Sequence, residues 1–397
     1  MALPFGLLLA CMAVLPLRWP VWWEKNYAKL VLLLAAATTG YYVFVLPAAA
    51  LATVRHTGLD FAGFIALIGS LYVVSGGIHI HADGNGRASW NTLFLALAGL
   101  ASNVLGTTGA SMLLIRPWLN IHRNRPAPYQ VVFFIFVVSN AGGVLTPMGN
   151  PPLLIGFLEG VPFWWVARHC WPMWLFSMAF LLAVFYAVDR RHEVRLPLPI
   201  PRTEHRCLSF GWWNLLSLAV IAAAAAITMP PLVRDGIMIA AAAASWFLTG
   251  RRAREANEFS FRPLIEVGIL FFGVFSTMMP AIDLLRNLGG TFTPGKIYWS
   301  AGMLSAFLDS APAYLAFFSA AAGHGGHELP ARLISALSMG TVMFGAVTYI
   351  GNAPNLMVKS IADHRGAPAP DFLAYLFKWA VPVMLPLLML QWLIFFR

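Results

Sequence analysis

Apolar stretches approaching twenty residues follow one another from Met1 to Arg397, and no polar stretch between them is long enough to fold alone. A helix needs about 20 apolar residues to cross the hydrocarbon of a bilayer, and only helices or closed barrels satisfy their backbone there. The runs that reach or approach this length lie near 2–17, 30–50, 61–81, 130–157, 170–188, 211–229, 233–249, 263–286, 332–361 and 372–396. The chain reads as one all-α polytopic membrane domain, residues 1–397, with about ten transmembrane helices. Composition agrees, since 11% of residues are charged against about 25% in soluble domains. The lipid bilayer is the expected partner.

The formal charge of +10 would suggest a nucleic-acid partner in a soluble chain. Here Lys and Arg fall mainly between the apolar runs, where they orient helices, so no nucleic acid is expected. Cys11, Cys170 and Cys207 are widely spaced without a CxxC, which points to neither a disulfide framework nor a zinc site. The opening MALPFGLLLACMAVLPLRW has no basic residue ahead of its apolar core and reads as a retained first helix.

Two further stretches, 90–117 and 297–322, are apolar at both ends but carry Ser, Thr, Gly, Asn, Asp or Pro at their centres. They read as re-entrant hairpins, because irregular backbone at membrane depth is tolerated only when buried in protein or lining a wet cavity. If both return to their own side, nineteen of the 26 basic residues share one face. The other face keeps Arg55, Arg168, Arg234, Arg286, Lys296, Arg332 and Arg397. The positive-inside rule then places the richer face in the cytoplasm and both termini outside. The polar, Pro-interrupted segment 189–210 reads as a cytoplasmic linker between halves.

The halves repeat each other. NAGGVLTPMGNPPLL, from Asn140, and VMFGAVTYIGNAPNL, from Val342, share Gly143/Gly345, Thr146/Thr348, Gly149/Gly351, Asn150/Asn352, Pro152/Pro354 and Leu154/Leu356. Each copy follows a hairpin at a similar offset, which sets Asn103 opposite Asp309. The repeats span residues 55–188 and, within the second half 211–397, residues 263–396. An odd number of crossings separates them, so their orientations are opposite. Inverted repeats with discontinuous helices mark secondary transporters that bind cargo at the midplane.

Gly-Asn-Pro-Pro and Gly-Asn-Ala-Pro inside apolar segments must break the helix, because proline removes a donor and clashes with the preceding turn. The result is two broken helices whose freed carbonyls and half-helix ends face a cavity. Asn103, Asn150 and Asn352 offer neutral oxygen ligands for a hard cation; each could instead cap a half-helix. Asp309 is the acid placed at a hairpin tip. A charge there costs about 2.5–3.5 kcal/mol on insertion scales, which makes Asp309 a candidate for competition between H⁺ and a metal cation. Glu159, Glu266 and Asp283 fall toward segment ends and read as solvated; His79 and His81 read as interfacial and structural.

LIGSLYVVSGGIHI, NVLGTTGASMLLIRP, FFIFVVSNAGGVLTPMGNPPLLIGFLEGVPF, LSAFLDSAPAYLAFF and FGAVTYIGNAPNLMVKSIA resemble bacterial inner-membrane proteins of the citrate-transporter-like ion transporter superfamily. Within it the chain is most similar to the NhaD-type sodium/proton antiporters; arsenite-efflux permeases and dicarboxylate/sodium symporters are more distant. The resemblance, over residues 60–390, implies an elevator-type transporter, often a homodimer, with ions held between hairpin tips and broken helices. It implies one half-site at Ser102, Asn103, Gly149 and Asn150, and another at Asp309, Ser310, Gly351 and Asn352; Thr107, Thr146 and Thr348 are further candidate ligands. Na⁺ would sit at Asn103, Asn150, Asp309 and Asn352, with Asp309 coupling the proton. The chain departs from the group at Asn150, where an acid is common, and at Ser310, where LDNAP is common.

The expected function is export of Na⁺, or Li⁺, driven by inward H⁺, with no further cofactor. The alternative is an anion transporter for citrate, a dicarboxylate or arsenite. HExxH, GxSxG and an ATP-binding P-loop are all absent from the sequence, so neither an intramembrane enzyme nor a self-contained pump is expected.

Overall fold

A computed structural model of the chain describes residues 3–47, 50–78, 87–195, 212–227, 229–256, 259–288, 292–322 and 329–397. The described residues are helical, without strands. In chain order the helices are α1 (Leu3–Arg18), α2 (Pro20–Phe44), α3 (Ala50–Gly76), α4 (Ala88–Ile121), α5 (Pro128–Val137), α6 (Pro151–Leu158), α7 (Trp165–Arg195) and α8 (Trp212–Ala226). They continue as α9 (Pro231–Leu248), α10 (Arg251–Ala256), α11 (Arg262–Leu288), α12 (Pro294–Phe307), α13 (Ser310–Ala322), α14 (Ala331–Gly345), α15 (Ala353–His364) and α16 (Phe372–Phe396). Prolines open α2, α5, α6, α9 and α12, where the missing N–H has no intrahelical acceptor to lose and φ is already helical. Among the described residues, seven helices are long and apolar enough, by length and composition alone, to cross a membrane, and α4, which doubles back at Gly106, is one of the seven.

Several boundaries differ from those read off hydropathy. The run at 30–50 is α2, which starts at Pro20, and the run at 61–81 is α3, which starts at Ala50. Hydropathy registers only the stretch matched to hydrocarbon, whereas Glu24, Lys25, Lys29 and Arg55 are good helix formers that carry the helices beyond it. For the same reason α7 runs on to Arg195 through Arg190, Arg191 and Glu193, so the first seven residues of the expected linker are helix. Residues 196–211, and His79 and His81, lie outside the described residues.

Both stretches with polar centres double back. Within α4, Gly106 has φ 72° and ψ 151°, a conformation open to glycine and strained for other residues. Phe94 and Trp118 stack across it at 5.5 Å between centroids, whereas a straight helix would set them about 36 Å apart. The second turn is Leu308–Asp309, between α12 and α13, and it brings Phe292 to 5.9 Å from Phe317.

The helices pack as two groups. One contains α1, α2, α3, α8, α9 and α11; the other contains α4 to α7 and α12 to α16. They meet along a seam made chiefly by α3 on α4 and α11 on α13.

A buried carboxylate ties the first hairpin to its neighbours. Asp189 of α7, 5% exposed, accepts from Asn91 Nδ2 at 2.8 Å and Tyr129 Oη at 2.6 Å, and so joins α4 and α5 to α7. Hydrogen bonds to a charged group contribute about 1.5–3 kcal/mol each. Asp189→Ala should therefore destabilise the protein by about 3 kcal/mol, seen as a lower unfolding midpoint in detergent, while Asp189→Asn should lose less.

Candidate functional site

The two GN(P/A)P segments interrupt their helices as the proline chemistry requires. Residues 138–150 separate α5 from α6, with a short 3₁₀ turn at Ala141–Val144, and residues 346–352 separate α14 from α15. Glycine is required inside both breaks. A Cβ on Gly351 would stand 2.7 Å from Gly345 O and 2.8 Å from Ser305 O, and one on Gly149 would overlap Gly143 O.

Asn150 and Asn352 occupy the N-cap positions of α6 and α15, but neither side chain caps its own helix. Both reach sideways into a fully buried cluster. Asn352 Nδ2 donates to Ser139 O at 3.0 Å, Asn140 Oδ1 at 3.1 Å and Asn150 Oδ1 at 3.2 Å. Asn140 Nδ2 donates to Ile135 O at 2.9 Å and Asn355 Oδ1 at 2.8 Å, and Asn355 Nδ2 donates to Gly345 O at 2.8 Å and Thr348 O at 2.9 Å. Asn150 Nδ2 donates to Asn140 O at 3.0 Å, and its Oδ1 accepts from Thr107 Oγ1 at 3.2 Å. Residues of the two repeats thus alternate, Asn355 to Asn140 to Asn352 to Asn150, and clasp one break to the other. Sequence reasoning missed Asn140 and Asn355 as site residues. The available signal was an amide in an apolar run, which needs an internal partner at membrane depth.

Each hairpin is fastened at matching points to the interrupted helix of its own repeat. Ser102 Oγ donates to Val138 O at 2.8 Å, and Ser305 Oγ to Thr341 O at 2.6 Å. Thr146 Oγ1 donates to Asn103 O, and Thr348 Oγ1 to Ala306 O. Thr107 N donates to Gly149 O at 2.8 Å, and Ser310 N to Gly351 O at 3.1 Å. These pairs correct the expected alignment: Asn103 corresponds to Ala306, and Asp309 corresponds to Gly106. Small residues fill both tips, so composition could not fix the register; matching Asn to Asp by chemistry set it three residues off.

The corrected register makes the hairpins unequal. Asp309, 8% exposed, accepts from Ala311 N through Oδ1 at 3.1 Å, which caps the start of α13. Gly106 has no side chain to cap the arm that follows it. Asn103 is consumed as a fastener, because its Nδ2 donates to Gly142 O at 2.7 Å and its Oδ1 accepts from Leu145 N at 2.8 Å. The second hairpin and the break beside it keep free oxygens. Ser310 Oγ and Asn352 Oδ1 are buried without a hydrogen-bond partner. The Asn352 amide cannot be turned round to hide its oxygen, since three acceptors surround the nitrogen. Against the first turn lies a cavity of about 20 Å³, lined in part by Gly106, Thr107, Thr108, Gly109, Gly149 and Asn150. It has room for about one water.

The sequence profile of a family described as "Putative citrate transport" matches residues 1–396. A search of curated proteins finds no match. A polytopic helical chain with interrupted helices clasped at their breaks, matched over its length by this profile, belongs to that citrate-transport family.

Proposed function

We propose that the protein is a secondary active transporter that couples movement of a citrate-type carboxylate anion to a cation, with the cation held by Asp309, Ser310 and Asn352. The observation that carries this reading is the pair of buried, partnerless oxygens, Ser310 Oγ and Asn352 Oδ1, next in the chain to Asp309 and to Gly351, with Ser310 N bonded to Gly351 O. Hard cations take oxygen ligands. An unmade hydrogen bond at a buried oxygen costs about 1–3 kcal/mol, which a bound cation would offset. The uncapped arm after Gly106 offers the opposite polarity, because a helix N-terminus favours an anion. The two turns thus divide the work, with the anion at the first and the cation at the second.

The two packed groups fit an elevator, in which α4 to α7 and α12 to α16 slide along the seam carrying both half-sites. The doubled-back hairpins are re-entrant and the repeats inverted in this reading, with the chain in a bacterial inner membrane, both termini periplasmic, and two copies forming a dimer.

A second reading, Na⁺/H⁺ antiport of the NhaD type, is favoured by a separate feature: neither hairpin tip carries Lys or Arg, whereas one carries Asp309. Purified protein in liposomes separates the two when Na⁺, Li⁺, K⁺, citrate, a dicarboxylate and arsenite are supplied one at a time across imposed gradients. The expected result is saturable citrate uptake that requires an inward Na⁺ or H⁺ gradient. Sodium-driven proton movement without carboxylate flux would establish antiport instead.

A further inference from the structure

The first turns of α2 carry positive charge that the protein itself leaves unanswered. Lys25 and Lys29 are exposed and one turn apart, and among the described residues neither forms an ion pair. Like charges at this spacing disfavour a helix. The nearby acids do not relieve them, because Glu24 of α2 and Glu266 of α11 are both engaged by Arg262. Glu24 also lies about 100° round the helix from Lys25. Arg18, at the end of α1, adds a third cation at this end, with its guanidinium 5.9 Å from the centre of the Trp19 ring.

The lysines are on the side of α2 that faces away from the protein. Val31, Ala35, Thr38 and Tyr42 are buried at the i, i+4, i+7, i+11 spacing of one helix face, and they pack α2 against α11, where Val31 fills the space beside Gly273. The lysine face starts one turn earlier with Trp22, which is exposed, and continues one turn later as Leu32, Leu33 and Ala36, also exposed.

Along this face the order is therefore an indole, two ammonium groups and then bare aliphatic surface. That order matches a phospholipid. Tryptophan settles at headgroup level, lysine binds a phosphate as a point charge, and the leucines offer apolar surface to an acyl chain. A free anion would use the lysines and leave the aliphatic surface without a role. A second copy docked here about a two-fold axis would set this stripe against itself, lysines toward lysines.

We propose that this face of α2 binds one anionic phospholipid, with its phosphate held by Lys25 and Lys29 and an acyl chain laid along Leu32, Leu33 and Ala36. The site is independent of the solute that the protein carries.

Native mass spectrometry of the full chain, released from a non-ionic detergent, reads the bound lipid directly. Dioleoylphosphatidylglycerol, dioleoylphosphatidylcholine and sodium phosphate are the probes. The wild type should hold the phosphatidylglycerol about tenfold more tightly than the phosphatidylcholine. Lys25→Gln combined with Lys29→Gln should remove that preference, whereas Lys25→Arg combined with Lys29→Arg should keep it. Arg123→Gln combined with Arg191→Gln removes the same charge from exposed positions beside α4 and on α7, and should change the affinity by less than about twofold. Sodium phosphate in about a hundredfold excess should leave the lipid bound.

Equal affinity for the two lipids, or a preference that survives the paired glutamines, would overturn the site. So would an equal loss in the Arg123 and Arg191 variant, which would reduce the effect to net charge. Displacement by sodium phosphate would make this a site for a free anion instead. Glutamine variants that turn a dimer into monomers with their lipid preference intact would assign the face to a second copy.

Discussion

Asp309→Asn is expected to leave the protein folded and to lower cation-coupled flux by about a hundredfold, the loss corresponding to about 2.7 kcal/mol of cation binding. The variant separates two roles that the geometry combines. Asparagine retains a side-chain oxygen able to accept from Ala311 N, as Asp309 Oδ1 does at 3.1 Å, and Asn and Asp are comparable at N-cap positions. It lacks the charge that would hold a cation beside Ser310 Oγ and Asn352 Oδ1. Flux measured in liposomes, with the unfolding midpoint measured in parallel, checks both halves of the expectation. Wild-type flux with an unchanged midpoint would reduce Asp309 to a cap on α13.

Gly149→Ala is expected to do the opposite, removing folded protein rather than coupling. A methyl at position 149 would overlap the carbonyl of Gly143, and both partners are backbone inside a buried break, so neither moves aside as a flexible side chain would. Overpacking of this kind costs about 3 kcal/mol or more when backbone must shift. Gly351→Ala, with Gly345 O and Ser305 O in the way at 2.7 and 2.8 Å, should behave alike. The contrast is Gly236→Ala in α9, where nothing lies within 4 Å of the added carbon; there alanine should be neutral or stabilise by up to about 1 kcal/mol. Monodisperse yield in detergent and unfolding midpoints distinguish the positions. Equal behaviour of Gly149→Ala and Gly236→Ala would mean that the break tolerates side chains.

Why the breaks were legible and the register was not follows from the kind of information each needs. Proline after asparagine in an apolar run dictates a broken helix locally, and residues 138–150 and 346–352 are broken. Ser102, Thr146 and Thr348 were expected as ion or substrate ligands, and their role as fasteners was not legible, because the carbonyls they meet, on Val138, Asn103 and Ala306, lie in other segments. The pairing of Asp309 with Gly106 depends on which amide of each hairpin meets Gly149 or Gly351. That relation spans about forty residues of chain and leaves no mark in the tip sequences. Asn140 and Asn355 were hidden similarly, because their partners come from the other repeat, 215 residues away in the chain. The outer turns of α2 and α3 escaped because hydropathy measures the fit to lipid, whereas a helix ends where its hydrogen bonds end.

The clasp between the two breaks is built from amides alone. Asn140, Asn150, Asn352 and Asn355 are each 1% exposed or less, and a carboxamide neither gains nor loses a proton over any pH at which the protein survives. Acidification therefore cannot loosen the crossing of the two interrupted helices. If the cation site proposed above also takes a proton, proton concentration would reach this centre through Asp309, a carboxylate that stands outside the clasp at the neighbouring turn. Such a division lets the molecule register acidity as a change in occupancy while its architecture stays constant, so a rate plotted against pH should bend once, with the slope of a single ionisation, rather than collapse.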